Sequence, residues 1–137
     1  MADILTPEQR SYCMSRIQGK DTKPELTVRK IARALGFRYR LHAKSLPGTP
    51  DLVFSSRRKV IFVHGCFWHR HSCRYGQVEP KTRREFWLNK LQGNVARDRR
   101  NIRNLHRLDW RVLTIWECQT RNPIVLARRL KRFIDAD

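Results

Sequence analysis

A chain of 137 residues with 40% hydrophobic content has the length of one domain and enough apolar material for a core, which excludes wholesale disorder. Its 30 Lys and Arg against 12 Asp and Glu leave a net charge of +18, spread along the chain: residues 1–70 hold 14 basic and 5 acidic groups, residues 71–137 hold 16 and 7. This is no basic tail on a neutral domain, and no apolar run approaches the roughly 20 residues needed to span a bilayer.

Such a field favours a polyanion. Arg outnumbers Lys 22 to 8, and its planar fork matches phosphate oxygens and guanine edges, so nucleic acid is the expected partner. A membrane surface fits less well, because no segment pairs a strongly apolar face with a basic one. The N-terminus has no basic start leading into an apolar stretch, so an intracellular, soluble protein is expected.

Thr6-Pro7-Glu8-Gln9 reads as a helix start, with Thr6 as N-cap and Gln9 closing a capping box. Gly19-Lys20-Asp21 breaks that helix, and Cys13 within it reads as a small buried hydrophobe. Thr22-Lys23-Pro24-Glu25 begins a second helix that Gly36 stops, with Val28, Ala32 and Leu35 on one face and Glu25 continuing it. Strands are expected at 37–42, at 51–54 after the turn Leu46-Pro47-Gly48-Thr49-Pro50, and at 59–64. The last two should form a hairpin across Ser55–Arg58. Residues 65–82 are irregular. A long helix from about 83 to 108 carries the seam Leu88, Leu91, Val95, Asp98, Ile102 and Leu105. A strand at 111–116 and a helix from Asn122-Pro123 to near Ile134 complete an α/β sandwich around a mixed sheet.

Cys66, His69, His71 and Cys73 crowd within eight residues, and Cys118 follows the last strand. Four nitrogen and sulfur donors make a structural zinc site, which would staple the irregular segment to the sheet. Spacing alone does not choose between His69 and His71. Pro50-Asp51 at the mouth of one hairpin strand, facing Phe62-Val63-His64 on the other, is the skeleton of many metal-dependent nucleases. There a carboxylate holds Mg²⁺, which takes oxygen ligands and polarises a phosphate. The second carboxylate of that pattern is missing; the Val63 carbonyl can replace one metal oxygen, and His64 or His69 can serve as the acid–base group. An ordinary turn aspartate is the alternative for Asp51. Asp98 falls on the apolar seam of its helix, where a carboxylate needs a partner, either a catalytic histidine or an arginine. Glu25 is a similar inward acid, with a capping-box role as its alternative. Trp68 in the Cys/His segment and Trp87 on the long helix read as wedges between base pairs, Phe86 as core, and Trp110 and Trp116 as core around the last strand.

The runs Leu46-Pro-Gly-Thr-Pro-Asp51, Phe62-Val-His-Gly-Cys-Phe-Trp-His69, Glu85-Phe-Trp-Leu88, Asn94-Val-Ala-Arg-Asp-Arg99 and Trp110-Arg-Val-Leu-Thr-Ile-Trp-Glu-Cys118 closely resemble the very-short-patch-repair DNA mismatch endonucleases, from about residue 10 to 121. The resemblance implies a restriction-endonuclease-like, three-layer sandwich (21–137) behind a DNA-contacting N-terminal arm (1–20). It implies Mg²⁺-dependent nicking of double-stranded DNA 5′ to the thymine of a T:G mismatch left by deamination of 5-methylcytosine. The enzyme would be a cytoplasmic, nucleoid-associated monomer working alongside repair proteins and a methyltransferase.

Carried over by position, the resemblance implies that Asp51 and the Val63 carbonyl hold magnesium. His69 becomes the general base, Asp98 orients it, and His64 and Glu25 support the site through water on the metal. Cys66, His71, Cys73 and Cys118 become the zinc ligands. Phe67, Trp68 and Trp87 resemble the intercalating wedge, and Met14 marks the arm reaching the opposite groove. Val63 stands where members often have Thr, a change that a backbone contact survives.

Overall fold

The computed structural model describes residues 22–136. The expected first helix and arm, with Cys13 and Met14, lie outside the described residues.

Helix α1, Lys23–Ala34, starts where Pro24 pre-sets the first turn and the Thr22 side chain accepts the Glu25 backbone N–H. It ends at Gly36, whose φ of +88° is open to glycine without cost. Strand β1 is only Arg40–Leu41, shorter than the expected 37–42: His42, with a φ of +47°, ends it, and residues 37–39 lie before its first pair, Arg40 with Val53. β2, Leu52–Phe54, and β3, Lys59–His64, form the expected antiparallel hairpin through a 3₁₀ turn at Ser55–Arg57. Helix α2, Arg84–Arg107, then crosses over to β4, Arg111–Trp116, which pairs parallel to β3. Helix α3, Pro123–Asp135, is N-capped by Asn122, whose side chain accepts the Val125 N–H at 3.2 Å.

The sheet order is β1-β2-β3-β4, antiparallel except for the final pair. Because successive strand residues face opposite sides, the hairpin supplies two cores. Leu52, Phe54, Ile61 and Ile115 meet Val28 and Ala32 of α1 and Leu126, Leu130 and Ile134 of α3. Val53, Val60 and Phe62 turn the other way and meet Leu105, Ile102 and Trp110. The result is three layers, with α1 and α3 on one face of a mixed sheet and α2 on the other. Each fully buried aliphatic side chain in these clusters contributes about 1.5–3 kcal/mol through area removed from water.

Lys59 opens β3 yet is only 2% exposed. Its Nζ donates to the Phe133 carbonyl at 2.7 Å, the Ile134 carbonyl at 2.9 Å and the Ala136 carbonyl. A buried cation on the carbonyls at a helix C-terminus satisfies groups that have no intrahelical partner and meets the negative end of the dipole. The last helix is thus tied to the sheet at the end remote from the site.

The parallel pair positions everything that follows. His64 is in register with Trp116. Two residues further on, each strand delivers a cysteine, Cys66 and Cys118, to the same edge. Ligand sites of α/β sheets lie outside the carboxyl ends of parallel strands, and this sheet offers that edge only between β3 and β4 among the described residues.

Candidate active site and metal cluster

Cys66, His71, Cys73 and Cys118 converge, with one ligand atom from each lying within 4.8 Å of the others. The Cys118 Sγ is 3.5 Å from His71 Nδ1, and the Cys118 N–H reaches Cys66 Sγ at 3.4 Å. His71 stacks on Trp116 with ring centroids 4.3 Å apart, which fixes the ring. The 71–76 turn closes so tightly that a Cβ on Gly76 would fall 1.9 Å from the His71 carbonyl oxygen. Burial pushes the Cys66 thiol up to about 12, raises that of Cys118, and holds His71 below its usual 6.5. Against the raising effect of burial, hydrogen bonds from the Gly76 backbone, the Cys66 thiol and the Tyr75 backbone lower the Cys73 thiol, whereas Cys66 and Cys118 resist ionisation and need a bound cation to become thiolates. Three sulfurs and one nitrogen make a four-donor set of the kind that fits a metal such as zinc.

Beside this cluster lies a cleft of about 420 Å³. Glu25 from α1, Asp51 before β2, His64 and His69 around the end of β3, and Asp98 from α2 all line it. The loop before Asp51 reaches α2 closely at Gly48, where a Cβ would meet the Asn101 side chain at 2.9 Å.

Asp51 accepts the Val63 backbone N–H on Oδ2 at 2.6 Å. In an extended strand the N–H and C=O of one residue point to the same side, so the Val63 carbonyl belongs to that edge as well. Burial, then hydrogen bonding and charge from Glu25, push the Asp51 carboxyl from 3.8 up to about 8, against the Val63 N–H and the Arg29 charge that favour its ionised form. Glu25 is 4% exposed. Its Oε2 accepts from the Arg29 guanidinium and lies 3.1 Å from His42 Nε2, which is in turn 4.0 Å from Asp51 Oδ1. The Glu25 carboxylate therefore meets Arg29 and His42 inside the protein. His42 is the site residue that sequence reasoning missed: a lone histidine between Leu41 and Ala43 carries no spacing signal.

On the opposite wall, His69 Nδ1 is 2.6 Å from Asp98 Oδ2. His64 lies flat against the His69 ring, with centroids 3.8 Å apart and planes within 7°. Burial, then the charge of His69, push His64 down to about 3, and its Nδ1 has no hydrogen-bond partner among the described residues. His64 is therefore a neutral plate behind His69. His69 and His71, two residues apart, part company here: His71 joins the cysteines, and His69 joins His64 and Asp98.

The aromatic groups are rearranged relative to expectation. Trp87 is 8% exposed and Phe86 48%, the reverse of a core Phe86 and an outward Trp87. Trp87 packs edge-on against Trp68 at 5.8 Å, and Phe67 against Trp68 at 4.9 Å. These side chains form one cluster, with Asn94 Nδ2 donating to the Trp68 carbonyl at 2.9 Å. Trp116 is more than core: it separates His71 from His64, whose ring meets its edge at 5.4 Å.

A family model described as DNA mismatch endonuclease Vsr matches residues 2–75. Type II nicking enzyme V.XorIIP of Xanthomonas oryzae is 48% identical over 135 residues, 98% of each chain. Type II nicking enzyme V.NmeAIP of Neisseria meningitidis is 42% identical over 134 residues, 98% of this chain and 95% of that one. DNA mismatch endonuclease Vsr of Escherichia coli is 47% identical over 121 residues, 88% of this chain and 77% of that one. With a mixed α/β fold and a cleft of carboxylates and imidazoles, these relatives define a DNA endonuclease. Within that class, the chain belongs to the DNA mismatch endonuclease Vsr family.

Proposed function

We propose that this chain is a Mg²⁺-dependent mismatch endonuclease that cuts one strand of double-stranded DNA 5′ to the thymine of a T:G pair, beginning repair of deaminated 5-methylcytosine. The observation that carries the reading is the pairing, across one cleft, of an oxygen-rich wall at Asp51 with the His69–Asp98 pair. A protein that only binds DNA needs neither. In this reading residues 21–137 form a restriction-endonuclease-like domain, residues 1–20 with Met14 form a DNA-contacting arm, and the Cys66, His71, Cys73 and Cys118 cluster holds structural zinc.

Asp51 and the Val63 carbonyl would hold magnesium, with Glu25 and His64 beside them. The fit rests on a buried carboxyl that retains its proton until a cation compensates its charge. Bound there, Mg²⁺ would polarise the scissile phosphate and stabilise the charge that develops on it. The protein supplies the rest. Asp98 accepts from Nδ1–H of His69 and so fixes the tautomer whose free Nε2 can take a proton from the attacking water. The neutral His64 ring keeps the His69 plane in place and adds no competing charge. As water adds to phosphorus, the P–O bond to one sugar oxygen breaks, that leaving oxygen takes a proton from solvent water, and the strand is cut. Phe67 and Trp68, with Trp87 released from its packing, would wedge beside the mismatch, at a cost of a few kcal/mol of unstacking. Arg97, Arg99, Arg100 and Arg103, spaced along α2, supply phosphate contacts that set orientation and not sequence.

A second reading is a family nuclease directed to another lesion or to a restriction-type site, consistent with relatives named type II nicking enzymes. Matched duplexes carrying T:G or T:A at one position, end-labelled on each strand and incubated with and without Mg²⁺, separate the two. A single Mg²⁺-dependent cut 5′ to the thymine of the T:G duplex supports the first reading. Equal cutting of both duplexes favours the second, and no cutting of either removes both.

A further inference from the structure

We propose that Glu25, His42 and Asp51 form a mixed oxygen–nitrogen cation site in which the His42 imidazole ligates a divalent first-row metal directly. The inference deepens the reading in which Asp51 holds a cation, and it assigns to His42 a role that neither the sequence motifs nor that mechanism uses.

The distances carry it. His42 Nε2 is 3.1 Å from Glu25 Oε2 and 4.0 Å from Asp51 Oδ1, and the three donor atoms lie within 4.8 Å of one another. Donors roughly 2.1 Å from one ion stand about 3 Å apart when adjacent and about 4.2 Å apart when opposite. The two separations from His42 fall in that range, and the third is within 4.8 Å. The imidazole is also held in place. His42 adopts a φ of +47°, uncommon for a residue with a Cβ, and its backbone N–H donates to the Asp51 carbonyl at 3.2 Å. The ligand and its neighbour are thus tied together through the main chain as well as through the site.

Arg29 supplies a second, independent sign. Its guanidinium donates to the same Glu25 Oε2 and lies 3.3 Å from the same His42 Nε2. A positive group already rests against the two donor atoms that a metal would use, so they are aimed at a common cation. A divalent ion carries twice that charge and takes its place when it binds. A site built only of oxygen suits Mg²⁺, whereas an imidazole among the donors shifts preference toward Mn²⁺ and later first-row ions. The site therefore favours Mn²⁺ over Mg²⁺ in affinity.

The probe is Mn²⁺ itself, added to zinc-replete protein. Mn²⁺ is the weakest binder of its series and leaves the thiolate cluster to zinc. Free-ion electron paramagnetic resonance gives the affinity, and pulsed measurements detect nitrogen coupled to the bound ion. The wild-type chain should show the coupling of one coordinated imidazole. His42→Gln should abolish it and lower the Mn²⁺-to-Mg²⁺ affinity ratio about tenfold. His69→Ala should keep it, since the His64, His69 and Asp98 group is the other imidazole-bearing cluster in the cleft. Should the glutamine variant lose zinc or fail to fold, His42→Asn serves in its place, because asparagine tolerates positive φ. Nitrogen coupling that survives loss of His42, or is absent from the wild type while Mn²⁺ still depends on Asp51, overturns this inference and leaves the Asp51 reading standing. Mn²⁺ that binds Asp51→Asn as tightly as the parent overturns both.

Discussion

Replacing Asp51 by Asn should stabilise the cation-free protein while removing its activity. The carboxyl is pushed from 3.8 up to about 8, first by burial and then by Glu25. A folded-state value above the unfolded one means that the folded chain holds more protons between those limits, so stability falls as pH rises through that window. At pH 7 the shift corresponds to about 4 kcal/mol, an upper figure that solvent reaching the side chain reduces to roughly 2 kcal/mol. Asparagine keeps an oxygen for the Val63 N–H and removes the charge. In urea denaturation without added divalent cation near neutral pH, the variant should exceed the parent by roughly 2 kcal/mol, equivalent to a rise in Tm of about 6–8 °C. Between about pH 8 and pH 5 the difference should shrink by more than half, because the folded carboxyl takes up its proton while the unfolded one stays ionised, and the cost of holding that proton falls as pH approaches 3.8. Saturating Mg²⁺ should raise the parent and leave the variant unmoved. A variant less stable than the parent at neutral pH, or a difference indifferent to acid, would refute the reasoning.

Three further substitutions test the other parts. Asp98→Asn leaves an amide beside His69 that favours the wrong tautomer, so single-turnover nicking should fall about 10²–10³-fold with DNA affinity retained; an unchanged rate contradicts the pairing. Cys118→Ser should release zinc, measured by atomic absorption, and lower stability by several kcal/mol, since metal binding to such a cluster is folding free energy; full zinc content contradicts the ligand set. Trp68→Ala should weaken binding to a T:G duplex about tenfold more than to its paired counterpart, and equal losses would leave Trp68 as packing alone.

Much of the framework was legible because local chemistry and periodicity agree. Thr22 with Pro24, Asn122 with Pro123, and the continuous apolar run of β3 each predict the element that the structure contains. Glu25 and Asp98 stood out as acids on apolar faces, and both meet partners inside the cleft. What escaped depends on contacts between distant segments. His42 matters only because α1 and the turn before β2 come to it, and its positive φ takes it out of the strand that alternation extends over 37–42. The α2 seam holds at Leu91, Asp98, Ile102 and Leu105 and differs at its first position, where Trp87, packed against Trp68, is buried and Leu88 only half-buried. Spacing alone leaves His69 and His71 equivalent; the family resemblance separates them, and in the structure His71 Nδ1 lies 3.5 Å from Cys118 Sγ while His69 Nδ1 lies 2.6 Å from Asp98 Oδ2.

The central claim is that this cleft hydrolyses DNA through Asp51 and His69. Single-turnover nicking of a T:G duplex by the parent, Asp51→Asn and His69→Ala, with binding measured in parallel, tests it most directly. Each variant should bind within a few-fold of the parent and cut at least about 10³-fold more slowly. Cutting by either variant at the parent's rate would contradict the account.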